Sequence, residues 1–135
     1  MPLRLGILLT AVGGALGAVT RYELQQEWPT HGSAFPWTTF VINVVGSGLL
    51  ALLGVVPAIR ARPALPVFLG TGVLGGFTTM SAASVDTFRL LDDGAVGTGL
   101  TYGVGTLVAA LVLVALVSRL DPIDESLVEA EEGDE

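Results

Sequence analysis

Asn43 is the residue of this 135-residue chain that is hardest to explain without chemistry. It sits inside Pro36–Ile59, a run with no charged residue, and shares an i+4 stripe with Thr39, Ser47 and Ala51. Residues four apart lie one above the other on a helix. A second stripe of the same spacing holds Thr98, Tyr102, Thr106 and Ala110. Hydroxyls in such stripes often bond back to their own backbone or join neighbouring helices, which explains them as well as a function does. A carboxamide deep in an apolar segment is costly unless paired, so tight packing or function must hold Asn43. Amides and hydroxyls supply the donors that a small, strongly hydrated anion needs in place of its water.

The other chemically suggestive stretch is Gly70-Thr-Gly-Val-Leu-Gly-Gly-Phe-Thr-Thr-Met-Ser81. Its first six residues match G-x-G-x-x-G, but no alternating strand–helix pattern surrounds them, so a dinucleotide site is disfavoured. Gly75-Gly76-Phe77-Thr78-Thr79 makes a poor helix centre, with two glycines followed by two β-branched residues. The segment predicts a helix broken near Gly75–Thr79. A break at membrane depth is tolerated only where protein or a water-lined cavity satisfies the freed polar groups, and such breaks often bind ions. A close glycine crossing without a break is the alternative.

The elements that must carry these residues follow from the charge pattern. The chain is 51% hydrophobic and only 14% charged, against about 25% charged in soluble domains. It has no cysteine and one histidine, which removes disulfides, iron–sulfur clusters, thiolate chemistry and most histidine metal sites. The net charge of −7 is misleading, because eight of the thirteen acids follow Arg119. Residues 1–120 hold five acids and six arginines, a balance of +1. Uncharged runs cover Leu5–Thr20, Pro36–Ile59, Pro63–Val85 and Gly94–Ser118. About 20 helical residues cross a hydrocarbon core, and Arg4 and Arg21 can snorkel from the ends of the first run.

The expected fold is therefore an all-α integral membrane protein. Its four transmembrane helices, at about 4–22, 37–59, 64–88 and 95–118, form one domain over residues 1–120. An acidic tail over 121–135 is expected to be disordered. Arg4 and the apolar stretch after it also imitate a signal peptide, but three further spans make cleavage unnecessary. Trp28 and Trp37 flank a polar loop as interfacial anchors do. Arg4, Arg60, Arg62 and Arg119 fall on one side against Arg21 and Arg89 on the other, a small bias that places both termini in the cytoplasm.

Small residues repeat at helical spacing: Gly6, Thr10, Gly14 and Ala18; Gly13 and Gly17; Gly72 and Gly76; Gly99 and Gly103. These mark close helix packing. On this reading no Asp, Glu or Lys lies inside a span, which disfavours a proton-coupled transporter of similar size. No nucleophile–base set or carboxylate pair is present for an enzyme, and no basic patch for nucleic acid.

Three stretches together resemble the CrcB/Fluc fluoride channel family: Gly13-Gly-Ala-Leu-Gly-Ala-Val-Thr-Arg-Tyr22, Thr39-Phe-Val-Ile-Asn-Val-Val-Gly46 and Gly72-Val-Leu-Gly-Gly-Phe-Thr-Thr79. Their order and spacing fit, and the resemblance covers about residues 5–118. It implies a passive, fluoride-selective channel in the cell membrane, built as an antiparallel dual-topology dimer that exports fluoride from the cytoplasm. It also implies a structural sodium ion on the backbone carbonyls of Gly75 and Thr78. Asn43 is then an amide donor on the fluoride path, Arg21 an anion-attracting vestibule residue, and Tyr102 and Thr106 part of a polar track.

The match departs at the pore. The family motif continues T-T-F-S-T-F-S, with two phenylalanines whose electropositive ring edges face the anion. Here Met80 and Ala83 replace both rings and Ala82 replaces a threonine, while Thr79, Ser81 and Ser84 remain. Intact scaffold motifs beside an altered pore suggest one half of a heterodimer, with a modified homodimer as the competing form. A non-conducting membrane scaffold or assembly subunit is the alternative from another class, and a small four-helix transporter is a third.

Overall fold

The computed structural model describes residues 1–121, which form helices and turns with no strand among them. The expected disordered tail, apart from Asp121, lies outside the described residues. The helices are α1 (Leu3–Glu27), α2 (Trp37–Val55), the one-turn α3 (Pro57–Arg60), a π-wound stretch Pro66–Leu74, the short α4 (Gly75–Phe77), α5 (Met80–Asp92) and α6 (Val96–Ser118). Four segments are long and apolar enough to cross a membrane: Leu3–Glu27, Trp37–Val55, Pro66–Asp92 and Val96–Ser118.

Their ends depart from the uncharged runs for physical reasons. Helix α1 runs to Glu27 rather than stopping near residue 22. Glu23, Gln25, Gln26 and Glu27 are good helix formers, and charge ends a membrane span without ending a helix. Helix α2 stops at Val55 rather than 59, because Pro57 lacks an amide hydrogen and holds Val56 extended, at φ −87° and ψ 109°. The third span continues past Val85 to Asp92, which places Asp86 inside a spanning segment. The expectation of spans free of Asp, Glu and Lys is corrected here.

The third span is not one helix. It begins with nine π-wound residues, Pro66–Leu74, and π winding usually occurs as short bulges, often at functional sites. Thr78 and Thr79 then adopt extended dihedrals (φ −76°, ψ 154° and φ −152°, ψ 106°) before α5 starts at Met80. The Thr79 hydroxyl caps α5 by accepting from the Ala82 amide at 3.1 Å. The interruption divides the packing. The part of the span before it lies against α1, α5 lies against α6, and α2 touches both parts while packing mainly on α6.

Glycine makes the α1 crossing possible. A Cβ on Gly13 would stand 2.9 Å from the Gly72 Cα and the Val73 amide nitrogen. A Cβ on Gly17 would meet the Val73 carbonyl oxygen and stand 2.8 Å from the Phe77 amide nitrogen. These obstacles are backbone, which cannot rotate away. Arg60 and Asp121 form a two-point ion pair at 3.1 and 3.4 Å that ties the turn after α2 to the end of α6.

Candidate functional site

The interruption of the third span frees backbone groups in the middle of the molecule, and each free group needs a partner where water is absent. Asn43 meets both backbone polar groups of one residue, Thr79. Its Oδ1 accepts from the Thr79 amide at 2.7 Å, and its Nδ2 donates to the Thr79 carbonyl at 3.0 Å. Asn43 is only 9% exposed, and this pairing offsets the cost of burying it. From α1, Arg21 Nε donates to the Gly76 carbonyl at 3.2 Å. The Gly75 and Thr78 carbonyls accept no hydrogen bond among the described residues. Gly46 on α2 has no side chain where Thr78 and Phe77 press against it, so α2 can approach the interruption closely.

A cavity of about 390 Å³ opens beside this point, between α2, the interruption, α5 and α6. Its polar lining is Asn43, Ser47, Thr78, Thr79, Ser84, Thr87 and Thr106, and none of its residues is charged. Met80, Ala83 and Ala110 line the rest of the same wall with other apolar side chains. The donors are fewer than the hydroxyls. Thr78 donates to the Leu74 carbonyl at 3.0 Å, Thr87 to the Ala83 carbonyl at 2.8 Å and Thr106 to the Tyr102 carbonyl at 2.6 Å. These three threonines present oxygen lone pairs to the cavity. Ser47 and Ser84 make no side-chain hydrogen bond among the described residues, so their protons are free, as is the second Nδ2 proton of Asn43.

A second cavity, of about 420 Å³, lies on the loop side of the first turn of α5. Gln25, Thr30, Thr38, Thr39, Ser81, Asp86 and Arg89 supply its polar lining. Gln25 donates to the Thr39 hydroxyl at 3.3 Å. Tyr102 is fully buried beside it, with its hydroxyl 3.4 Å from an Asp86 carboxylate oxygen and its ring edge-on to Phe35.

The residues singled out from sequence are thus brought together only in part. Asn43, Thr79, Ser84 and Thr106 share the first cavity. Ser81 lines the second, and Tyr102 lines neither. Arg21 also lines neither cavity: its guanidinium is on the Gly76 carbonyl, because the Gly13–Gly17 crossing brings α1 against the end of α4. Asp86 falls inside the expected span of about 64–88 but just past the uncharged run that ends at Val85, so it was not counted as lying in a span. Its i+3 spacing from Arg89 on one helix could have shown it. Ser47 was visible in its stripe beside Asn43, but nothing in the sequence marks its hydroxyl as free.

The family model described as "CrcB-like protein, Camphor Resistance (CrcB)" matches residues 8–117, most of the chain. The chain belongs to this family. Among curated relatives, the "Fluoride-specific ion channel FluC 1" of Streptomyces coelicolor is 44% identical over 115 residues, covering 83% of this chain and 74% of that protein. The "Fluoride-specific ion channel FluC" of a Thermus thermophilus strain is 44% identical over 118 residues, covering 84% and 91%. That of Rhizobium meliloti is 45% identical over 112 residues, covering 80% and 89%. The family is thus one of ion channels, not of enzymes. Four apolar spans in a chain with such relatives make it a multi-pass membrane protein.

Proposed function

We propose that this chain is a subunit of a passive, fluoride-selective channel that exports fluoride from the cytoplasm across the cell membrane. The observation that carries this reading is the uncharged cavity beside the interrupted third span, in a chain whose relatives are named fluoride-specific channels. An anion leaving water needs donors that replace its hydration and no carboxylate that repels it. Ser47 and Ser84 supply such donors, and the Thr78, Thr87 and Thr106 hydroxyls can add theirs by giving up a bond to their own helix. The second cavity, on the loop side, is the mouth; there Arg89 offsets the carboxylate of Asp86 beside Ser81.

Met80, on the cavity wall, is 73% exposed, so the wall is incomplete there. A second subunit completes the wall in an antiparallel, dual-topology dimer. Met80 and Ala83 stand where the resemblance puts phenylalanine edges, which favours a heterodimer whose other subunit supplies aromatic edges to the working pore. The arginine bias places the termini of this subunit in the cytoplasm.

A structural sodium ion fits the free carbonyls. Hard cations take oxygen ligands, and the Gly75 and Thr78 carbonyl oxygens are both without a hydrogen-bond partner among the described residues. Two oxygens do not fill a coordination shell, so a second copy of the same pair from the partner subunit would complete it. The bound ion would supply positive charge at the dimer centre.

The test is anion release from liposomes holding the purified chain, alone or with a second family subunit, read by fluoride and chloride electrodes. Fluoride release that exceeds chloride release and needs no proton gradient is expected. Absence of fluoride flux with every partner would favour the assembly-subunit reading instead.

A further inference from the structure

Where the helical ladder stops at Thr78, backbone groups lose their intrahelical partners, among them the Gly76 carbonyl and the Thr79 amide. Two other helices meet them. Arg21 of α1 donates to the Gly76 carbonyl at 3.2 Å. Asn43 of α2 accepts from the Thr79 amide at 2.7 Å and donates to the Thr79 carbonyl at 3.0 Å, a carbonyl otherwise reached only by the Ala83 amide at 3.5 Å. The carboxamide pairs with the amide and carbonyl of Thr79 as one residue pairs with another across a sheet. The same groups could also be satisfied by rewinding Thr79 into a continuous helix, with its amide returned to the Gly75 carbonyl. In a membrane interior one of these two solutions must hold.

We infer that Asn43 and Arg21 are positioning residues that keep the third span interrupted. Asn43 outcompetes the rewound helix by pairing with both the amide and the carbonyl of Thr79. Arg21 places a fixed positive charge on the carbonyl end of α4, where a helix terminus carries negative partial charge. Together they keep the Gly75 and Thr78 carbonyls free and set where the first turn of α5 stands relative to the cavity. Asn43 then acts on the ion path mainly through Thr79, with one amide proton left over, rather than as a free donor.

The experiment is solid-state NMR of the isotopically labelled full-length chain in lipid nanodiscs, paired with fluoride flux from liposomes. The spectra do not depend on the channel reading above, whereas the flux arm rests on it, so the two can fail separately. In the unmodified chain the Thr78 and Thr79 carbon shifts should be those of extended backbone. The Asn43 side-chain nitrogen signal should respond alike to sodium fluoride and sodium chloride. Asn43→Ala should move the Thr78 and Thr79 shifts to helical or averaged values, with shifts elsewhere in α1 and α6 unchanged. It should lower maximal flux roughly five- to tenfold, the factor for one lost buried hydrogen bond, while half-saturating fluoride stays the same. Arg21→Leu should act likewise and Arg21→Lys should restore most of the loss, since an ammonium also donates to a carbonyl. Unchanged Thr78 and Thr79 shifts in Asn43→Ala would overturn the inference. So would a saturable, fluoride-specific shift of the Asn43 side chain in the unmodified protein, a measurement that needs no variant to fold.

Discussion

A hydroxyl in a membrane helix is a donor only if its proton is not already engaged. In the cavity, Thr78, Thr87 and Thr106 give theirs to carbonyls four residues back, whereas Ser47 and Ser84 do not. Ser84→Ala and Ser47→Ala should therefore each reduce fluoride flux by about tenfold, near the value of one hydrogen bond to a charged group. Thr87→Val should cost less, because it removes an oxygen whose proton faces the helix. Flux measured across the three variants checks the order, and a larger loss for Thr87→Val would contradict it. The altered positions give a complementary expectation. Restoring ring edges with Met80→Phe and Ala83→Phe should raise fluoride flux from the chain alone; flux that stays the same would show that the cavity does not use aromatic edges. The candidates Asn43 and Thr106 were legible from stripe spacing because that spacing is a property of a single helix, whereas Thr79 and Ser84 were singled out only by the resemblance in the third span. The partners were not. Asn43 meets Thr79 across 36 residues of sequence and Arg21 meets Gly76 across 55, and no local pattern encodes such contacts.

At the scale of elements, the glycines fall into two kinds that the sequence presents alike. Gly13, Gly14 and Gly17 all sit in small-residue patterns on α1. A Cβ on Gly13 or Gly17 would run into backbone of the third span, whereas one on Gly14 would find its nearest neighbour, the Gly72 carbonyl oxygen, 4.0 Å away. Gly17→Ala should cost about 1–3 kcal/mol, the range for an overpacked core, and Gly14→Ala should be nearly neutral. Thermal unfolding in detergent micelles separates them, and equal losses would mean that the α1 crossing is looser than these distances. The Arg60–Asp121 pair is a contrasting case. Both side chains are more than 40% exposed, so Asp121→Asn should change stability by less than about 1 kcal/mol in the same assay. The four spans themselves were legible because hydrocarbon excludes charge for about 20 residues at a time. Their ends were less so. Glu23 to Glu27 continue a helix past the apolar run, Pro57 cuts one short of it, and Asp86 lies where an uncharged-run reading had already stopped.

At the scale of the whole molecule, the net charge of −7 says little about the membrane body, because most of the acid follows Arg119. The described body presents a neutral cavity beside an interruption that two other helices hold, with a polar antechamber on its loop side. The proposed path of fluoride runs through that neutral cavity. The chain has no cysteine, so a single introduced thiol is a unique handle. Ala110 lines the cavity opposite Asn43's helix. The most direct measurement is fluoride efflux from liposomes carrying Ala110→Cys, with the second family subunit if the chain alone is silent, before and after a bulky thiol-reactive reagent and again after reduction. Flux that falls on modification and returns on reduction is the predicted result. Flux that persists through complete modification would place the path elsewhere and contradict the account.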